Sequence, residues 1–302
     1  MSFTVDTAFV NSYHAQLEHI FQQKGSKLRG TVREVTQNSE YDYWDRLGVA
    51  DVQEISTRHG DTPHNEIEHT RRRNQVVGYD TNEYFDNQDK LRMIIDPKSG
   101  YAQAQAFALG RKMDDAIITA ALGTSYSGKA GATSVTFGSG GSVIASSTVA
   151  VDYVESGAAT NSNLTIGKLR RALYLLEAND AIDPMEPVTV VAHPSQKQAL
   201  LRTTEVTNSD YNAIKALVNG EINTFLGFNF VWSTRVTADS NAYRQVLVYP
   251  KSGLLLGVSE NLKVRVDERP DKRYSYQVYS TATFGATRLW EERVIKVLCS
   301  EA

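Results

Sequence analysis

Between Pro97 and Gly123, apolar residues return at Ala102, Ala106, Leu109, Met113, Ile117 and Ala120, in steps of four and three. Only a helix gathers such a series on one side of the chain, so the spacing predicts one helix over 100–122, with Ser99 as its cap and Gly123 as its stop. At 1.5 Å per residue it spans roughly 31 Å. Alanines at 102, 104, 106 and 108 let a partner layer approach closely. A helix this long with one narrow apolar stripe is a spine, and something else has to cover it.

The carboxyl end offers that cover. Leu262, Val264 and Val266 alternate with Lys263, Arg265 and Asp267, a DERPDKR turn follows, and YSYQVYSTATF and RLWEERVIKVL continue as strands over 259–302. Before them, a second helix from Thr165 carries Ile166, Leu169, Leu173 and Leu176 on one stripe. PVTVVAHP, SQKQALLR, GFNFVW, QVLVYP and GLLLGV then alternate helix with short apolar strand, which predicts an α/β lobe over 164–258. Residues 123–163 hold seven of the 20 glycines among many serines and threonines, around strand candidates at 133–137 and 143–154. No glycine-rich run there leads into a Lys-Ser or Lys-Thr helix start, so this is a pair of loops in a region 87–163 and not a phosphate cradle.

Residues 1–27 read as a polar arm with one short amphipathic helix. Residues 28–86 are rich in Val, Thr, Tyr and Trp, with a turn-rich, charged middle from Gly48 to Glu66. This predicts a long, thin hairpin with a polar tip. A lone hairpin is marginal in water, so support from another copy of the chain is expected. Arg71, Arg72 and Arg73 lie on its returning strand. Successive strand residues point to opposite faces, so Arg72 is expected to face away from the other two.

The formal charge of −3 excludes a surface that is everywhere a footprint for nucleic acid. Cys299 is the single cysteine, which leaves no intrachain disulfide and no thiolate metal cage. No run approaches the length of a membrane span, and no cofactor motif is found. His59, His64 and His69 could suggest a metal-dependent enzyme, but steps of five converge on neither a helix nor a strand. Ser195 follows His193 without a nucleophile-elbow pattern, and is expected to cap a helix. Asp114-Asp115 and Glu291-Glu292 are sequence neighbours, so their side chains diverge rather than form a carboxylate dyad. Cys299 is read as a packing residue. A protein that works by contact is favoured over an enzyme or a sequence-specific DNA-binding module.

The order of parts, with particular stretches, resembles the major capsid proteins of tailed bacteriophages. NGEINTFLGFNFVWSTRV, with Gly220, Leu226, Gly227, Phe228, Phe230 and Trp232, looks like the family's axial-domain signature. GRKMDDAIITAALG is similar to the end of its spine helix, TFGATRLWEERVIKVL to its last peripheral strands, and EYFDNQDKLRM to the segment leading from extended loop to spine. The resemblance implies an α+β, Hong-Kong-97-like fold: an amino-terminal arm (1–27), an extended loop (28–86), a peripheral domain (87–163 and 259–302) with its spine helix, and an axial domain (164–258). It implies a structural subunit that tiles an icosahedral shell as hexamers and pentamers around double-stranded DNA, assembled in the host cytoplasm and resident in the virion. An encapsulin-like cargo shell is the alternative within the fold.

Further partners implied are a portal, decoration or cement proteins, and a separate scaffolding protein, since the arm is shorter than the scaffolding regions some relatives carry. Arg71, Arg72 and Arg73 are then expected at contacts between subunits, in preference to packaged DNA. Asn208, Ser209, Asp210 and Tyr211, within the polar stretch TTEVTNSDYN, are expected in a loop around capsomer axes. Some members of the family join an extended-loop lysine to a neighbour's asparagine. Residues 28–89 contain no lysine, and arginine stays protonated, so a noncovalent shell is expected.

Overall fold

The computed structural model describes residues 22–54, 58, 60, 64–85, 98–138, 147–183, 185–202 and 224–301. In chain order its main elements are β1 (Arg33–Thr36), β2 (Tyr41–Leu47), β3 (His69–Gln75), β4 (Val77–Phe85), α1 (Lys98–Leu122), β5 (Ser125–Ser127), β6 (Thr133–Val135), β7 (Thr148–Val149), α2 (Ile166–Ala178), β8 (Val188–Ala192), α3 (Pro194–Arg202), β9 (Thr224–Phe225), β10 (Phe228–Trp232), β11 (Arg244–Pro250), β12 (Leu254–Arg269), β13 (Ser275–Arg288) and β14 (Ile295–Cys299). The chain divides into two units, one made of Lys27–Val77, Met113–Ser259 and Phe284–Ala302, the other of Met1–Ser26, Gly78–Lys112 and Glu260–Thr283.

The larger unit is built on a mixed sheet in the order β7-β14-β11-β8-β10-β9. Its central strand β8 is buried along its whole length, as a continuous Val-Thr-Val-Val-Ala run covered on both faces should be. β10 runs parallel to it and β11 antiparallel, with Phe230 opposite Val190 and Leu247 opposite Val191. A two-residue turn joins β9 to β10 through Leu226 and Gly227 at φ of 53° and 77°. Positive φ at both centres is what a tight hairpin turn matching the strand twist requires. α2 starts at Thr165, whose hydroxyl accepts the Lys168 N–H. It buries Ile166, Leu169, Ala172 and Leu176, while Leu173 is only partly covered. The sheet of the lobe expected over 164–258 takes two strands from outside that range: β14 pairs with β11, Val297 against Val246, and places Cys299 in the core, and β7 pairs in turn with β14.

α1 runs from Lys98, so Ser99 lies inside it rather than at its cap; Gly123 closes it by donating its N–H to Thr119 O at 2.7 Å. In the larger unit the helix buries Met113, Ile117, Ile118 and Ala121. In the smaller unit Gln105 carries the contact with β13, donating to Val278 O at 3.0 Å and accepting from Ser280 Oγ at 2.6 Å. Beside Gln105 in that unit, Leu109 is buried as well, so the strand contact of this helix is part polar.

A second sheet, in the order β2-β3-β5-β6, contains the predicted hairpin. β2 and β3 pair over their full lengths, Tyr43 opposite Arg73 and Asp45 opposite Arg71. The expectation that another copy supports the hairpin is corrected at its base, because the chain supplies its own anchor. β3 pairs onward with β5, Arg72 opposite Ser127. Gly285 of β13 lies so close that an added Cβ would stand 1.8 Å from the Gln75 carbonyl oxygen. Beyond Leu47 and His69 that anchor ends, and Val49 and Val52 are 90% and 95% exposed.

Candidate functional site

The three adjacent arginines take three different environments, because β3 turns alternate residues inward and outward. Arg72 is 2% exposed and donates to Glu291 Oε1 at 2.6 Å. The other Glu291 oxygen accepts from Arg288 Nε, and Arg288 in turn donates to the carbonyls of Ala121 and Gly123 at 2.7 and 2.9 Å. One carboxylate thus joins the hairpin, the end of α1 and the segment after β13. Burial depresses the Arg72 pKa to about 10, with Arg46 and Arg288 adding repulsion that Glu291 opposes. At neutral pH the Arg72 guanidinium therefore stays charged. Arg46 completes the anchor from β2, donating to Leu289 O at 2.7 Å with its guanidinium 4.9 Å from the Trp290 ring centre.

The outward face of the same sheet is an arginine-tyrosine lattice. Arg71 makes a two-pronged pair with Asp45, at 2.5 and 3.2 Å, and lies 5.8 Å from the Tyr43 ring centre. The Arg71 hydrogen bond holds the Asp45 carboxyl below its usual range. Arg73 stacks between Tyr41 and Tyr126, at 5.0 and 4.4 Å from the ring centres. All three tyrosines remain about two-fifths exposed, at 38% for Tyr41, 41% for Tyr43 and 40% for Tyr126. Planar cations held over aromatic rings form a rigid, amphipathic surface suited to contact. Of the three arginines expected at contacts, Arg71 and Arg73 face outward, whereas Arg72 is occupied within its own chain.

The other expected positions are dispersed. Asn208, Ser209, Asp210 and Tyr211 lie outside the described residues, as does His59. His64 and His69 are exposed, and among the described residues no group of three or more metal-ligating side chains comes together. Asp114 and Asp115 diverge: Asp114 is buried and accepts the N–H groups of Lys27 and Leu28, both at 3.1 Å, while Asp115 pairs with Arg235.

Ser195 is not the cap of α3. Pro194 opens the helix and His193 caps it, its Nδ1 accepting the Ser195 N–H at 3.2 Å while its own N–H donates to Gln196 Oε1 at 3.0 Å. This reciprocal pair is a capping box with histidine in place of serine. Ser195 Oγ donates to Glu301, which also accepts from Arg244 Nε at 2.8 Å. His193 Nδ1 also lies 2.8 Å from Ser195 Oγ, but it already accepts the Ser195 N–H, and the acid binds the hydroxyl directly instead of the far side of the imidazole, so the order of groups is not that of a nucleophile relay.

Sequence reasoning missed the buried polar anchors. Lys168 is fully buried, its ammonium donating to the carbonyls of Val151, Ser162 and Leu298 at 2.8, 2.7 and 3.0 Å. Glu291, whose side chain was expected only to diverge from that of Glu292, is buried and shared by Arg72 and Arg288. No local pattern marks either residue as buried, because each also reaches a partner remote in sequence, Leu298 for Lys168 and Arg72 for Glu291.

A family model for phage capsid proteins matches residues 5–301. No curated protein matches the sequence. Among solved structures, the capsid of the cyanophage P-SCSP1u is similar at a TM-score of 0.73 and 17% identity, covering 100% of this chain and 96% of that one. Mycobacterium phage Che8 gives a TM-score of 0.69 at 14% identity, over 96% of this chain and 97% of the other. The capsid of cyanophage Pam1 gives 0.71 at 13% identity, over 100% and 99%. The mixed helix and sheet architecture is thus the Hong-Kong-97-like capsid fold, and the chain belongs to the phage capsid protein family as a structural subunit of a bacteriophage shell.

Proposed function

We propose that the chain is the major capsid subunit of a tailed phage, tiling an icosahedral shell as hexamers and pentamers around double-stranded DNA. The observation that carries this reading is the family match, which extends over residues 5–301 rather than over one lobe. Within it, residues 1–27 act as an arm, 28–86 as the extended loop, 87–163 and 259–302 as the peripheral domain, and 164–258 as the axial domain. Asn208 to Tyr211 then meet their counterparts around the capsomer axes. The described residues include no helix long and apolar enough to cross a membrane.

The arginine-tyrosine face supports a contact role for the extended loop. Arg71 and Arg73 are fixed in position by Asp45 and by the rings of Tyr41 and Tyr126, yet keep solvent-facing surface for a neighbouring subunit. Preordered arginines lose little side-chain freedom on binding. With no lysine between residues 28 and 89, the mature shell is held without a loop-borne isopeptide bond. Assembly in the host cytoplasm with a separate scaffolding protein and a portal, and a final decoration layer, complete the proposal. Negative-stain microscopy of the purified, overexpressed chain tests it: closed particles or capsomer arrays are expected, and a stable small monomer under every assembly condition would refute it.

A further inference from the structure

β12 pairs with β13 on one side, and on the other β1 covers it only from Leu255 to Val258, with the Gln37 N–H adding one bond to Val258 O. Past Val258 no described strand lies on that side. Every residue from 261 to 269 is exposed, including the aliphatic row Leu262, Val264 and Val266 at 44%, 40% and 41%. Folded proteins blunt or cover a long open strand edge that carries an aliphatic row, because it is a template for adding another strand.

We propose that this edge pairs antiparallel with the same edge of a second copy of the chain, about a twofold axis passing through Arg265. The sequence of the edge is complementary to itself in that register. Directly opposed residues of an antiparallel pair share a face, so only registers centred on a residue bring aliphatic to aliphatic. Centred on Arg265, Val264 meets Val266 twice and Lys263 meets Asp267 twice. Leu262 falls beside the methylenes of Glu268, and each Arg265 lies diagonal to an Asp267 of the other copy. One step back, centred on Val264, Lys263 faces Arg265 twice and Glu260 faces Glu268 twice. One step forward, centred on Val266, Lys263 faces Arg269 twice and Val264 faces Glu268. Of these three registers, the Arg265 one alone keeps like charges apart everywhere except at the axis, and it alone pairs Lys263 with Asp267. Lys263 pairs with Glu260 within the chain, but that pair is exposed, hence weak and readily exchanged. The pairing rests on the shell reading for its supply of second copies, and adds the strand edge through which two of them meet.

Cysteine cross-linking tests the register, with Cys299 silent because it is fully buried. After air oxidation Arg265→Cys should run as a covalent dimer on a nonreducing gel, whereas Lys263→Cys alone should not. Failure of Arg265→Cys to cross-link, or equal cross-linking of both, overturns the proposal. A charge-swap series gives an independent readout on folded protein, checked by circular dichroism. Lys263→Asp or Asp267→Lys should each weaken the two-copy association about tenfold, and the double exchange should restore it. Singles that associate like the parent, or a double that stays weak, contradict the register. If the parent forms no particles the shell reading fails, and cross-linking of the concentrated soluble chain still decides the pairing: a dimer from Arg265→Cys alone supports it, and none refutes it.

Discussion

Arg72 and Glu291 meet at 2.6 Å across 219 positions of sequence, both buried. This contact sets how the arginine-bearing hairpin leaves the rest of the larger unit. A buried carboxylate shared by two guanidiniums is costly to desolvate, and removing it strands two charges.

Glu291→Gln is therefore expected to destabilise the chain by about 3–5 kcal/mol, the range for breaking a buried pair from one side. A lower urea midpoint at unchanged slope is the readout. A shift under about 1 kcal/mol would mean that the network is solvated.

The outward arginines should behave differently. Arg71→Ala combined with Arg73→Ala removes an exposed pair and three ring contacts, all at half-exposed side chains, and is expected to cost about 1 kcal/mol or less of stability. Particle yield should nonetheless fall. Normal assembly with a selective packaging defect would assign this face to DNA instead.

Burial pushes the Cys299 thiol from 9.0 up to about 12, and Tyr249, fully buried with its hydroxyl 2.9 Å from Thr31 Oγ, is also raised. Both groups are neutral in the folded chain and ionise more readily when it unfolds. Their contribution to stability is thus complete below the unfolded pKa and declines as pH rises through the folded one. For Cys299 that loss falls between pH 9 and 12. Thiol-reactive probes should label the native chain slowly at pH 8 and quickly in denaturant; fast native labelling would place Cys299 outside the core.

A shell without loop lysines should dissociate completely. Boiling mature particles in detergent is expected to release one species near 33.5 kDa. A ladder of multimers surviving reductant would show a covalent lock elsewhere in the chain.

Local patterns were legible where a periodic face meets a continuous core. The four-three spacing up to Ile117 located α1, and the Val-Thr-Val-Val run located β8. The alternation of Arg71, Arg72 and Arg73 also followed from strand geometry. What escaped were contacts that no period encodes. Gln105 buried against β13, Lys168 held in part by the Leu298 carbonyl, and Glu291 held in part by Arg72 each satisfy polar groups with a partner more than 100 positions away. The cap of α3 was misplaced because histidine is a rare cap, recognisable only from the reciprocal bond with Gln196.

The most direct measurement is a single-particle reconstruction of shells formed by this chain. The account predicts this fold repeated around fivefold and sixfold axes, with residues 203–212 nearest the axes and the β2–β3 hairpin over a neighbouring subunit. Particles whose shell density cannot accommodate the chain, or a map that places residues 208–211 at the outer rim of each capsomer, would contradict it.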